Sequence, residues 1–170
     1  MQDNGSVCKT SIDGTDFRIY EPSPFDRKWY SHKFKGPGVR YEIGLNIQTG
    51  DIVWTNGPFP CGAYSDRKIA KEEGLEDCLA DGERYIADAG YRGGRAETPS
   101  GQNNNEQWMQ SKVRARHETL IRRLKQFGIL VQTFRHRRSK HRVVFMAIAN
   151  LTQITIREES PLFQVNYIDI

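Results

Sequence analysis

Apolar and polar residues alternate strictly along one stretch of the chain, and no other feature constrains the fold as strongly. Between residues 39 and 48 the apolar positions are Val39, Tyr41, Ile43, Leu45 and Ile47, and the polar positions are Arg40, Glu42, Asn46 and Gln48. A period of two predicts a half-buried β-strand. A turn sequence at 48–51 follows at once and predicts a hairpin whose second strand covers residues 51–55.

The segments around this hairpin predict one more strand and a helix. Residues 7–20 favour a strand with a Gly-Thr break at positions 14 and 15. After the hairpin, Pro58 and Pro60 are predicted to break the chain. Ser65 can then cap a helix that covers residues 66–80.

The second half of the chain predicts a short strand followed by helices. The strand covers residues 85–87, and residues 92–107 have the composition of a loop. Apolar residues at helical spacing predict a helix over 111–127 that ends at Gly128. A basic connection, 135–142, leads into a last helix whose apolar positions are Val144, Ala147, Ile148 and Leu151. The order of elements predicts a mixed α/β fold.

Length and composition indicate one globular domain. The chain has 170 residues, of which 37% are hydrophobic and 27% charged, as in folded rather than disordered proteins. It has no apolar stretch long enough to cross a membrane, so we expect no membrane partner. Three scattered cysteines predict neither a disulfide framework nor a zinc site, which favours a reducing compartment.

Positive charge is concentrated in one segment. Residues 112–142 contain eleven Lys and Arg residues and one acid, Glu118, for a net charge of +10. The rest of the chain has a net charge of −6, so the whole has +4. A basic segment on an acidic body is the pattern of a surface that binds phosphates. A solvated helix face is the alternative explanation.

Three acidic residues occupy positions suited to a metal site. Asp13 lies on the first predicted strand, Asp88 directly follows the strand 85–87, and Glu118 lies on the helix 111–127. Only a fold that sets the first two strands side by side can bring the aspartates together. Carboxylates at strand ends suit catalysis in open α/β sheets. Without nearby His or Cys ligands they favour Mg²⁺ or Mn²⁺, and two such ions about 4 Å apart can cleave a phosphodiester.

Glu118 shares one face of its predicted helix with three basic residues. At about 100° per residue, Arg114, Arg122 and Lys125 all fall within about 40° of it. This stripe could hold a DNA backbone beside a metal-binding carboxylate, or it could be an exposed ladder of weak salt bridges. Arg135, Arg137 and Arg138 are further candidates for phosphate contacts or for a nuclear-import signal.

Several other residues are weaker candidates for the site. Asp66 could be a fourth metal ligand, although an acid in the first turn of a helix is ordinarily stabilising. Asp16 is three residues beyond Asp13 and is predicted to face the other side of the strand. His117 and His141 are expected to contact phosphates or to lie on the surface. Packing in the core or in loops is expected for Trp29, Trp54 and Trp108 rather than stacking on bases.

Four motifs, in order along the chain, resemble those of DDE-superfamily endonucleases. They are Asp13-Gly14-Thr15, the segment from Gly62 to Asp66, the segment from Ile86 to Tyr91, and Arg114-x3-Glu118-x6-Lys125. They are similar in particular to the PIF/Harbinger-type transposases of eukaryotes, which are related to bacterial insertion-sequence transposases. The resemblance covers residues from about 10 to 155.

The resemblance implies an RNase H-like mixed sheet flanked by helices, in a single domain over residues 1–170. It implies that Asp13, Asp88 and Glu118 bind two Mg²⁺ or Mn²⁺ ions, nick DNA at transposon ends and promote attack of the freed 3′-hydroxyl on target DNA. Only twelve residues precede Asp13, so the usual N-terminal DNA-binding region is expected to be absent. A separate DNA-binding partner protein and self-association are then candidate interactions. The implied location is the nucleus in a eukaryote and the cytoplasm otherwise.

Two alternatives to an active transposase core stay open at this point. One is a domesticated or truncated descendant that binds DNA without cleaving it. The other is an RNase H-type nuclease, which would share the metal site and differ in acting on RNA–DNA hybrids.

Overall fold

The fold is centred on a six-stranded β-sheet. The structure is a computed structural model that describes residues 7–99 and 104–165. The strands are β1 (Val7–Arg18), β2 (Tyr30–Ser31), β3 (Gly36–Asn46), β4 (Ile52–Pro60), β5 (Glu83–Ile86) and β6 (Ala96–Glu97). β1 lies in the middle, between β3, which runs antiparallel to it, and β5, which runs parallel to it. β4 and the short β2 both pair antiparallel with β3, and β6 pairs parallel with β5.

Helices cover both faces of this sheet. They are α1 (Asp66–Glu72), α2 (Leu75–Cys78), α3 (Asn104–Leu124), α4 (Gly128–Val131) and α5 (His141–Glu158). Within the described ranges, no helix has the length and apolar character needed to cross a bilayer. The structure therefore confirms a mixed α/β class.

The two faces of β1 belong to two different cores because successive side chains point to opposite sides. Ile12 packs with Ala70 of α1 and Leu75 of α2. Phe17, on the other face, packs with residues of α3 and α5 that include Leu120 and Phe145. Alternation separates these two faces from Thr10 onward, whereas a register shift between Cys8 and Thr10 turns Cys8 toward Val113 of α3.

The hairpin predicted from the alternating residues is present, but β3 is buried on both faces rather than one. Arg40 and Glu42 are 9% and 0% exposed. They lie under α1 and α2, whereas the apolar positions of β3 pack against α5. β4 also extends beyond residue 55 to Pro60, so the prediction that Pro58 and Pro60 break the chain was wrong. Proline is tolerated there because β4 pairs only with β3 among the described strands.

Three other boundaries differ from the predictions. β1 runs without interruption through Gly14 and Thr15. The predicted helix 66–80 is divided into α1 and α2 at Gly74, whose φ of 93° ends the first helical segment. Part of the predicted loop 92–107 forms β6 and the start of α3, while residues 100–103 lie outside the described residues.

The second predicted helix is also displaced at its end. α3 ends at Leu124, and Gly128 begins the short helix α4 instead of ending a longer one. The basic connection that follows is mostly irregular, with one turn of 3-10 helix at Arg138–Lys140 before α5 begins. These shifts leave Asp13, Asp88 and Glu118 on the expected kind of element, whereas Lys125, predicted inside the helix, lies in the turn directly after α3.

Candidate active site

Asp13, Asp88 and Glu118 line one pocket, which we call the acid pocket. β1 and β5 are parallel neighbours, with Ser11 opposite Ile86. Asp13 and Asp88 each lie two residues further on, so both are at the same end of the strand pair and on the same face. α3 crosses that face and contributes Glu118. The structure therefore brings together three acids that are far apart in sequence.

The acid pocket supplies oxygen ligands of the kind that a hard cation binds, but its side chains are not close enough together to form a complete metal site. Its three carboxylates supply only oxygen, which Mg²⁺ and Mn²⁺ prefer. Across residues 7–99 and 104–165, no three His, Cys, Asp or Glu side chains are grouped closely enough to hold a metal ion. Ion binding would require the carboxylates to approach one another further.

The surroundings of Asp13 in the acid pocket disfavour its ionised form. Burial raises the pKa of Asp13 to about 6, against the opposing effects of Lys33 and of a 2.7 Å hydrogen bond from Gly14 N–H. The neighbouring carboxylates of Asp88 and Asp66 raise this pKa further. A bound divalent cation would remove this repulsion and favour the ionised carboxylate.

Asp66 approaches the same region from the other face of the sheet. It stands in the first turn of α1, behind the Ser65 cap, whose side chain accepts a hydrogen bond from Lys68 N–H. A Cβ at Gly14 would lie 2.3 Å from Asp66 Oδ1, so the missing side chain at Gly14 makes room for this carboxylate. Asp66 and Asp88 both lie close to Gly90. Asp66 is thus near the acid pocket, although it does not line it.

A buried ion pair holds Asp66 in place. Its Oδ1 lies 3.0 Å from Arg40 Nη1, which donates its hydrogen bond to Tyr64 O instead. Arg40 is itself fixed by Asp16, to which Nε and Nη2 donate at 2.7 and 3.1 Å. Burial raises the pKa of Asp66, and Arg40 opposes that effect. These contacts support the structural role for Asp66 at the start of α1.

The basic stripe of α3 lies beside the acids, as its spacing predicts. Arg114 lines the acid pocket, and Arg122 and Lys125 line an adjoining groove that also contains Asp13 and Glu118. Lys33 lines the same groove, and its Nζ donates a 2.8 Å hydrogen bond to Gly14 O. Lys33 was not predicted as a site residue, because it lies in a turn with no periodicity or motif.

Three arginines of the basic connection, Arg135, Arg137 and Arg138, lie at the far end of β1. Phe134 N–H donates to Arg18 O at 2.9 Å, which places the following residues beside the end of that strand. Arg135, Arg137 and Arg138 are all exposed. Since a strand rises by about 3.3 Å per residue and Arg18 lies five residues beyond Asp13, this end is roughly 17 Å from Asp13. The connection is therefore separate from the acid pocket.

Both histidines expected near the surface are buried. His117 Nδ1 shares a 2.9 Å hydrogen bond with Ser11 Oγ, and His141 Nδ1 shares a 2.8 Å hydrogen bond with Tyr41 Oη. Burial lowers the pKa of each imidazole to about 4. Both rings are therefore neutral near pH 7 and cannot serve as phosphate-binding cations, so that expectation was wrong.

Other weaker candidates have structural roles or are exposed. Asp16 faces away from Asp13, as predicted, and binds Arg40. Trp54 Nε1 donates to Glu42 at 2.9 Å, and Trp29 packs against the core. Trp108 is 62% exposed, contrary to the packing expected for it. Arg116 belongs to the basic segment but is buried, where it donates to Ile47 O, so it is not part of the charged surface.

Comparison with protein-family models, with curated proteins and with solved structures finds no match for this chain. The motif resemblance to DDE endonucleases is therefore still a prediction.

Proposed function

We propose that this chain is the catalytic core of a divalent-metal-dependent DNA endonuclease and strand transferase of the Harbinger-like transposase type. One observation carries the proposal. The three acids of the separate motifs, Asp13, Asp88 and Glu118, line a single pocket. This convergence requires two parallel strands and a helix from the last third of the chain to meet at one place.

The sheet is compatible with the RNase H-like fold that the resemblance implies. Its long antiparallel strands β1, β3 and β4 are joined on one side by the shorter parallel strands β5 and β6. The first acid lies within the central strand, and the second follows its parallel neighbour. Helices on both faces complete the proposed architecture.

In this proposal the three carboxylates hold Mg²⁺ or Mn²⁺. The bound metal would supply activation of a water or a 3′-hydroxyl and stabilisation of the leaving oxygen. The chain's own residues bind and orient the phosphodiester. Arg114, Arg122, Lys125 and Lys33 surround the acids and would hold the DNA backbone on both sides of the scissile bond.

A non-catalytic DNA-binding descendant is the second candidate. The observation that favours it is the lack of a complete metal-ligand group among the described residues. An RNase H-type activity on RNA–DNA hybrids would use the same pocket and differ in substrate. Cleavage assays on both substrates separate these functions.

The decisive experiment measures nicking of supercoiled plasmid in Mg²⁺, Mn²⁺ or Ca²⁺. We expect Mg²⁺ and Mn²⁺ to support cleavage, whereas Ca²⁺ should bind without turnover because its looser coordination aligns the reacting groups poorly. Asp13→Asn, Asp88→Asn and Glu118→Gln should each abolish nicking. Asp81→Asn is the matched control, since this exposed acid lies outside the pocket. Wild-type protein that binds DNA and never nicks it would select the second candidate.

Asp66 has a graded outcome in the same assay. Asp66→Asn should retain part of the activity if the residue supports the start of α1 and pairs with Arg40. Complete loss with an intact fold would place a fourth carboxylate in the metal site.

Salt dependence of DNA binding tests whether the basic connection is a second DNA contact, separate from the basic residues around the acid pocket. Each phosphate neutralised by a Lys or Arg releases counterions, so affinity should fall steeply with salt. Reversing the charge of Arg137 and Arg138 should flatten this dependence, and adding the reversal of Arg135 should flatten it further. A matched variant that reverses the exposed Lys9 and Lys71 should leave the slope unchanged. Equal slopes in all variants would show that the basic connection does not contact DNA.

A further inference from the structure

The outer face of α5 carries an apolar stripe. Val143, Ala147, Leu151 and Ile154 are spaced four, four and three residues apart, which places them along one side of a helix. Val143, Leu151 and Ile154 are 70%, 53% and 57% exposed. The inner face of α5 packs against the core through residues such as Phe145 and Ile148. A contiguous exposed stripe of this kind marks an interaction surface rather than scattered surface apolar residues.

Opposite charges stand at the two ends of this stripe. Lys140 precedes α5 in a helical backbone conformation, with φ −84° and ψ −13°, and Glu158 is the last residue of the helix. They are 18 residues apart, which is five complete helical turns, so they lie on the same side as the stripe. Both are exposed. The neighbouring Arg157 is already paired with Asp51 at 2.9 Å.

We propose that two copies of this chain associate through α5, packed antiparallel about a two-fold axis. Self-pairing follows from the charges: when the helix is reversed, Lys140 of each copy meets Glu158 of the other. The same register places Ala147 opposite Leu151 of the second copy, so a small side chain faces a large one. Such an interface is isologous, with one patch serving both copies. It does not depend on the proposed nuclease activity.

The apolar stripe is tested by sedimentation velocity over a range of protein concentrations. Wild-type protein should show a monomer–dimer equilibrium, and Leu151→Glu and Ile154→Glu should shift it to monomer. Val131→Glu is the matched control, because Val131 is 52% exposed and lies on α4. Circular dichroism verifies that each variant is folded. A wild-type chain that stays monomeric throughout overturns the proposal and leaves the stripe to another partner.

Charge exchange tests the antiparallel register. Lys140→Glu and Glu158→Lys, taken singly, place like charges at both ends of a homodimer and should weaken it by about three- to thirtyfold. In an equimolar mixture of the two variants, every end contact joins opposite charges again, so a heterodimer should form with near wild-type affinity. Carrying both substitutions in one chain should also restore the homodimer. If mixing restores nothing, the antiparallel arrangement is wrong.

Discussion

Arg40→Met removes the buried cation that links Asp16 to Asp66, and its cost follows from the surroundings of Asp16. The Asp16 side chain is 1% exposed and receives two hydrogen bonds from Arg40. Methionine keeps much of the aliphatic volume, so the main loss is the positive charge. Removing one member of a buried ion pair costs about 3–5 kcal/mol in unfolding free energy, because the other charge is left without compensation.

The same substitution should change how stability depends on pH. Burial alone raises the pKa of Asp16, but hydrogen bonds from Arg40 and Ser31 outweigh it and bring the pKa below its usual value. The wild-type carboxylate therefore stabilises the fold above its unfolded pKa, and this contribution is lost as pH falls through the folded pKa. Without Arg40, burial dominates and the folded pKa rises above the unfolded one. The variant is then less stable than the wild type at neutral pH, and protonation of Asp16 at lower pH removes part of this loss.

Urea unfolding of both proteins at pH 7 and near pH 4 measures this difference. We expect the gap in unfolding free energy to be largest at pH 7 and to shrink on acidification. Asp16→Asn added to Arg40→Met should recover much of the loss, since the most deeply buried charge is gone and only the partly exposed Asp66 is left without Arg40. A gap that is the same at both pH values would refute the reasoning, because the cost would then come from packing and not from charge.

Three further predictions concern residues around the acid pocket. Asp13→Asn should stabilise the protein at pH 7.5 by about 1–3 kcal/mol, because the folded pKa of about 6 exceeds the unfolded value and the ionised carboxylate destabilises the fold above that pKa. Urea unfolding should show that this gain disappears below pH 4. A gain that persists below pH 4 would contradict the raised pKa of Asp13. Gly14→Ala should cost about 1–3 kcal/mol because its Cβ would lie 2.3 Å from Asp66 Oδ1. Thermal unfolding should show partial rescue by Asp66→Ala, and no rescue would mean that the clash lies elsewhere. Ser11→Ala should cost about 1–3 kcal/mol by leaving His117 Nδ1 buried without its partner. By loosening α3 it should also weaken Mn²⁺ binding in calorimetry, whereas unchanged Mn²⁺ affinity would show that this bond does not position Glu118.

The sequence predicted those parts of the fold that depend on local periodicity. Alternation located β3, and the two-residue period of a strand correctly separated Asp13 from Asp16. Helical spacing placed Arg114 and Glu118 on one side of α3, with Lys125 beside them in the turn that follows the helix. The convergence of Asp13 and Asp88 could be anticipated only by assuming that their strands are neighbours.

The sequence could not predict which residues, distant along the chain, bind the buried polar side chains. Arg40 reads as a solvent-facing residue in an alternating strand, yet Asp16 neutralises it under α1. His117 reads as part of a basic surface, yet it is bonded to Ser11, 106 residues away. Burial of a polar residue depends on whether a matching group arrives from elsewhere, and one-dimensional patterns do not contain that information.

The central position of β1 also determines when in folding the acid pocket can form. β1 is synthesised before all of its partners. The antiparallel strands β3 and β4 follow by residue 60, but β5 and α3 are made later. Until then one edge of β1 and the face with Asp13 have no native cover, a state that is prone to misassociation. Pairing between distant segments also slows folding. The acid pocket is therefore completed only once β5 and α3 have joined β1, and a metal ion that needs all three carboxylates could not assist the earlier steps.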